Sequence, residues 1–138
     1  MPYTRKPLLF CLFASLLGPA ASAAPSLTAK VDGTTVAVEI DGKLFTQYKF
    51  GRDLKKPYLW PLAGPRSGKS VTTESSEPYP HHNSMWFGCD HLNGRDYWQH
   101  QRPDGNIFSQ GPQVAVAKGE EVVITDISDW TPRKGDTL

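Results

Sequence analysis

Between Pro80 and Trp98 the chain reads PHHNSMWFGCDHLNGRDYW. His81, His82 and His91, the carboxylates Asp90 and Asp96, and the indoles Trp86 and Trp98 crowd around Asn93-Gly94. Three kinds of chemistry suit such a group. A histidine beside a carboxylate, such as His91 with Asp96, can be held in one tautomer and tuned near neutral pH for proton transfer. The plainer reading of that pair is a cross-strand polar contact at the surface. His81, His82, Asp90, His91 and His100 supply enough imidazole and carboxylate for a zinc-like site. Neighbours in a strand point to opposite faces, so His81 and His82 would not share a metal there. No HExxH or paired CxxC is present, so the chain is assigned no metal and no cofactor. The third chemistry is sugar recognition. Trp60, Trp86, Tyr97 and Trp98 offer flat apolar faces with a polar tip, beside the hydrogen-bonding groups of Asp90, His91 and Asn93. Each aromatic taken singly also reads as sheet packing.

These residues need a scaffold that holds them together. The run 81–89 reads as a strand and 96–101 as its partner, joined by Asn93-Gly94 as a two-residue type I′ turn. That register sets Leu92 opposite Arg95, His91 opposite Asp96, Cys89 opposite Trp98 and Phe87 opposite His100. A single bulge would exchange the faces.

The rest of the chain also reads as β. Alternating runs occupy 27–31, 34–40 and 43–50, separated by Asp32-Gly33 and Asp41-Gly42. Val36, Val38 and Ile40 are expected to share one face, as are Leu44, Thr46, Tyr48 and Phe50. The stretch 56–80 carries Pro57, Pro61, Pro65, Pro78 and Pro80. It reads as a long ordered loop with Tyr58, Leu59, Trp60 and Leu62 against the sheet. A turn is expected at Pro103-Asp104-Gly105. Further strands are expected at 113–117 and 121–127, with Lys118-Gly119 between them. The ending from Asp129 onward reads as a strand approach or turn, with no clear closing element. Gly64-Pro65-Arg66-Ser67-Gly68-Lys69-Ser70 approaches a phosphate loop but is one residue short and lacks a strand–loop–helix context, so it reads as a solvated turn.

Residues 1–23 read as a secretory signal peptide. Arg5 and Lys6 form the positive start, Leu8 to Leu17 the apolar core, and Ala21-Ser22-Ala23 the cleavage site. The apolar run falls short of the roughly 20 residues that span a bilayer. The mature chain 24–138 is therefore expected to be a single β-sandwich domain, periplasmic or secreted, with no membrane contact after cleavage. The 138-residue chain carries a formal charge of +1. Losing Arg5 and Lys6 leaves about −1, with no basic stripe for nucleic acid. Cys11 leaves with the signal. Cys89 then stands alone and reads as a small buried hydrophobe.

Lys56-Pro57-Tyr58-Leu59-Trp60-Pro61-Leu62, Gly64-Pro65, Val71-Thr72, Pro80-His81-His82, Ser84, Trp86-Phe87, Asn93-Gly94 and Asp96-Tyr97-Trp98 resemble, in order and spacing, the secreted bacterial family labelled "methane oxygenase PmoA-like". The match is tightest from Tyr48 to Trp98. The resemblance implies an all-β antiparallel sandwich, related to the aldose-epimerase-like supersandwiches that handle carbohydrates. It does not imply methane oxidation, because nothing after the leader is apolar enough to span a membrane. By analogy of fold and chemistry, His81 or His82 would act as acid or base, with Asp96 or Asp90 paired to it. Trp86, Asp90, His91, Asn93 and Trp98 would hold the ligand, a carbohydrate or other small molecule. Members of that family are longer. The chain is therefore expected to be an N-terminal half, with open strand edges that favour self-association. A non-catalytic binding or structural module is the alternative.

Overall fold

The computed structural model describes residues 24–99, 105–117 and 120–132. The signal-peptide reading with Cys11, His100, Pro103-Asp104, Lys118-Gly119 and the ending at 133–138 lie outside the described residues. The chain opens as a meander of β1 (Leu27–Asp32), β2 (Thr35–Ile40) and β3 (Lys43–Lys49). Asp41 and Gly42 both have positive φ, as a type I′ turn requires. The first hairpin closes one residue later than expected. Asp32 pairs with Thr35, so Gly33-Thr34 is the loop, and Gly33 alone has positive φ, the pattern of a type II′ turn.

Val36 and Val38 are buried from β2, and Thr46 is buried opposite Val38. The face expected for β3 does not run its full length. The register shifts after Val38, leaving Phe45 as the extra residue of a bulge and pairing Leu44 with Glu39. The bulge turns Leu44 away from the face of Thr46, and Leu44 is exposed.

β4 (Tyr58–Leu59) adds to β3, and the amides of Trp60 and Ala63 continue the contact onto the Gln47 and Phe45 carbonyls. Pro57 and Pro61 lack the amide proton a longer ladder would need, which keeps β4 short. The segment is thus the ordered, sheet-hugging loop the prolines suggested. β5 (Met85–Trp86) pairs with β4 and completes a sheet of order β1-β2-β3-β4-β5.

Two antiparallel ribbons follow. β6 (Gly105–Ser109) pairs with β9 (Ser128–Pro132), and β7 (Gln113–Ala117) with β8 (Glu121–Thr125). The Ile107 amide donates to the Lys55 carbonyl, and Tyr48 Oη donates to Asp126 Oδ2 at 2.5 Å, so β6 and the turn before β9 are tied to the first sheet. The β7–β8 ribbon packs beside β1. The fold is all-β, antiparallel and sandwich-like, with no helix among the described residues.

Three expectations about strands need correction. The strand at 81–89 shrinks to β5, because Ser84 adopts a positive φ and breaks the extended run before it. Its partner at 96–101 is irregular over the described residues. β6 was not expected, and β9 falls where the sequence suggested a strand approach or turn. β6 buries Gly105 and Ser109 beside Ile107 and leaves Phe108 half-buried on its other face, which blurs the apolar alternation that marks a strand.

Candidate functional site

The site is organised around Lys56, which opens the Lys56–Leu62 block but is not among the site residues expected from the sequence. Lys56 is only 1 % exposed. Its Nζ donates to the Trp98 carbonyl at 2.6 Å and the His81 carbonyl at 3.4 Å, and sits 4.8 Å from the centre of the Trp86 ring. It therefore fastens the 79–82 turn and the 97–99 turn onto β5. Burial drops its pKa to about 8, the neighbouring Lys55 pushes the same way, and the Asp96 carboxylate partly offsets both. In sequence Lys55-Lys56 looks like a solvated charge pair, because lysine is rarely fully buried. The one available signal was Pro57 next to it, at the start of an aromatic strand.

From Lys56 a ladder of rings runs outward. Trp98 tilts against Trp86 at 5.1 Å, His82 stacks on Trp86 at 5.7 Å, and Tyr79 stacks on His82 at 5.1 Å. His81 meets His82 edge-on at 4.5 Å. The two histidines thus touch, where a strand would have sent them to opposite faces. Burial holds the His81 ring below its ordinary pKa, helped by the charges of His82 and Lys56 and opposed by Asp96. The balance favours the neutral ring.

Asp96 is 5 % exposed, and its Oδ1 accepts the amides of Trp98 at 2.7 Å and Gln99 at 3.1 Å. This is an aspartate turn that orders the backbone carrying Trp98. The expected pairing of His91 with Asp96 is replaced. His91 Nδ1 lies 3.3 Å from Asp90 Oδ2, with His91 82 % exposed. The cause is a slip of one residue. Leu92 and Arg95 bond as expected across Asn93-Gly94, both at positive φ, but the Tyr97 amide then donates to the Cys89 carbonyl rather than to that of Asp90. Asn93 stands on the exposed tip of the turn, and its backbone conformation accounts for it.

Two hollows flank the ladder. One of about 370 Å3 is lined by Gly88, Cys89, Asp90, Trp98 and Gln99. The other, about 200 Å3, is lined by Pro78, Tyr79, His81 and Gln99. Gln99 belongs to both. Of the sequence-derived ligand residues, Trp98 and Asp90 share the larger hollow, Trp86 packs behind Trp98, and His91 attaches through Asp90. A separate apolar groove of about 340 Å3 lies where the first sheet meets β6 and β9, with Tyr48, Tyr58, Trp86, Phe87, Ile107 and Trp130 in its walls. Among the described residues no group of three or more His, Cys, Asp or Glu side chains is placed to hold a metal ion. The 64–70 segment closes on itself, Gly64 N on the Lys69 carbonyl and Gly68 N on the Gly64 carbonyl, as a turn does.

Fold and site together define an all-β, sandwich-like protein with a buried lysine and an aromatic–histidine ladder at the end of its main sheet. Residues 35–138 match the model of a family of unknown function (DUF6807), and the chain belongs to that family. Searches of curated proteins and of solved structures gave no match.

Proposed function

We propose that this is an exported protein, periplasmic or secreted, that binds neutral carbohydrate in the hollow between Trp98 and Asp90. One observation carries the reading: that hollow is lined together by Trp98, Asp90 and Gln99, an indole, a carboxylate and a carboxamide residue. A pyranose has an apolar C–H face for the indole and equatorial hydroxyls for the two polar groups. The apolar groove is less suited, because Tyr48 Oη is already spent on Asp126. The resemblance to secreted PmoA-like proteins, and by analogy to aldose-epimerase-like sandwiches, supports the same reading.

Isothermal titration calorimetry with a panel of neutral mono- and disaccharides tests it. Asp90 is 67 % exposed, so Asp90→Ala leaves the core intact. At least one saccharide should bind saturably to the wild type and about 10-fold more weakly to that variant. Equal affinity in the two proteins would remove the hollow as the site.

A second reading, turnover of the bound sugar, has its own support. The His81 ring lines the adjoining hollow, joined through Gln99, and surroundings that favour its neutral form suit it to take a proton from a sugar carbon. His82 positions His81 by edge contact, and Asp96 supplies the opposite charge. On this reading His81→Ala binds the sugar and fails to convert it, as followed by NMR of the anomeric signals. Unchanged conversion would leave binding as the whole function.

A further inference from the structure

The asparagines of the chain are Asn83, Asn93 and Asn106. An asparagine can react with its own backbone when the nitrogen of the next residue reaches the side-chain carbonyl carbon, Cγ. The carboxamide must be free to turn, and the next residue must leave room. Asn83 is 6 % exposed, and its Nδ2 donates to the Glu74 carbonyl at 2.8 Å, which fixes the carboxamide. Asn106 lies within β6, paired with Thr131 of β9, and the branched Ile107 side chain crowds the nitrogen that follows it. Asn93 has neither restraint. It is exposed, and its side chain makes no hydrogen bond among the described residues. The next residue is Gly94, also exposed, and beyond its chain neighbours no atom lies within 4 Å of where a Cβ would stand.

A second turn of the same shape shows what sets Asn93 apart. Asp41-Gly42 has φ values of 52° and 71°, against 52° and 74° for Asn93-Gly94. The Asp41 carboxylate accepts the Ser26 amide at 2.8 Å, and the β2–β3 ladder closes that turn. The Asn93-Gly94 turn is closed by an isolated pair, the Leu92 and Arg95 amides each on the other's carbonyl at 3.0 Å. A turn with so little behind it opens locally with little free energy. We infer that Asn93-Gly94 is a site of spontaneous deamidation. The Gly94 nitrogen bonds to Asn93 Cγ, the Cγ–Nδ2 bond breaks, and the nitrogen's proton leaves with the amide as ammonia. The succinimide so formed is opened by water at either carbonyl, giving aspartate or, with the main chain rerouted through Cγ, isoaspartate. Either product adds a negative charge to the turn that joins Asp90 and His91 to Asp96. Isoaspartate also lengthens a two-residue loop by one carbon, which the type I′ pairing of Leu92 with Arg95 does not accommodate.

The test is peptide mapping of the folded chain after incubation at mildly alkaline pH, with the chain unfolded in urea as reference. Trypsin releases 70–95 as one peptide, so Asn83 is an internal control for Asn93. Aspartate and isoaspartate should form at position 93 while Asn83 and Asn106 stay intact. Asn93→Gly, which suits a positive φ, should pass the same incubation unchanged. In the isoaspartate form the Leu92 and Arg95 amides should exchange with solvent faster than in the fresh protein. Conversion of Asn83 or Asn106 ahead of Asn93 would overturn the inference, as would a folded protein that keeps Asn93 while the unfolded chain loses it. Unaltered exchange at Leu92 and Arg95 would overturn the effect on the turn.

Discussion

Lys56 shows how one residue sets the geometry of the candidate site. Its ammonium joins two turns that have no ladder of their own, through the carbonyls of His81 and Trp98. Lys56→Met keeps much of the side-chain volume but leaves both carbonyls unpaired. It should cost about 2–4 kcal/mol in urea unfolding. A loss below measurement error would mean the two turns hold without it. The same residue predicts a pH dependence. Its pKa is about 8 in the fold against 10.5 for a free lysine. Between those values the unfolded chain holds the proton more tightly than the fold does. Unfolding therefore takes up a proton, and stability rises with pH across that window. The rise should vanish in Lys56→Met. Above pH 10 the phenols of Tyr48 and Tyr58 act the other way, because burial and their carboxylate partners Asp126 and Glu74 hold both well above the ordinary tyrosine value. The useful range for the experiment is therefore the lower part of that window.

At the scale of elements, short strands are held by side-chain ties and close approaches. Tyr48 of β3 donates to Asp126 between β8 and β9, and the other Asp126 oxygen, Oδ1, is buried without a partner. Tyr48→Phe would remove the tie and should destabilise by about 1–3 kcal/mol, read from the urea midpoint. An unchanged midpoint would show that β9 is held by its ladder to β6 alone. Gly105, at the start of β6, lies directly under the buried Tyr97 ring, so that a Cβ there would overlap the ring carbons. Tyr97 in turn packs on Trp130 of β9 at 4.9 Å. Gly105→Ala should cost about 1–3 kcal/mol by overpacking. The same variant without loss would mean that Tyr97 can swing aside freely.

What could be read from the sequence follows from this construction. The meander was legible because alternation and Asp-Gly turns act locally, and β1, β2, β3 and β7 lie within a residue or so of expectation. The Asn93-Gly94 turn was legible for the same reason. The ladder beyond it was not, since a one-residue slip at Cys89 leaves no mark in the residue pattern. Lys56 was missed because its partners are backbone carbonyls far along the chain, and carbonyls carry no sequence signal. The aromatic and histidine content of the site was visible. The contact of His81 with His82 depends on the turn at 79–82, closed by the His82 amide on the Tyr79 carbonyl, which residue types alone do not announce.

On the scale of the whole molecule, the main sheet ends at β5, and the site sits on the irregular chain beyond that edge. The strands fix β4 and β5, Lys56 fixes the turns to them, and the turns present Trp98, Asp90, Gln99 and His81 to solvent-accessible hollows. The buried apolar side chains are few, with Val36, Val38, Tyr58, Tyr97 and Ile107 at their centre. Polar ties such as Lys49 with Glu74 and Tyr58 therefore carry a large share of the order in the long loop. The central claim is that this arrangement recognises a neutral sugar ring. The most direct measurement follows the Trp98 indole N–H signal by NMR during titration with neutral disaccharides. A saturable shift at Trp98 is expected with at least one of them, accompanied by the backbone amide of Asp90. A folded protein whose Trp98 and Asp90 signals stay still through the whole panel would contradict it.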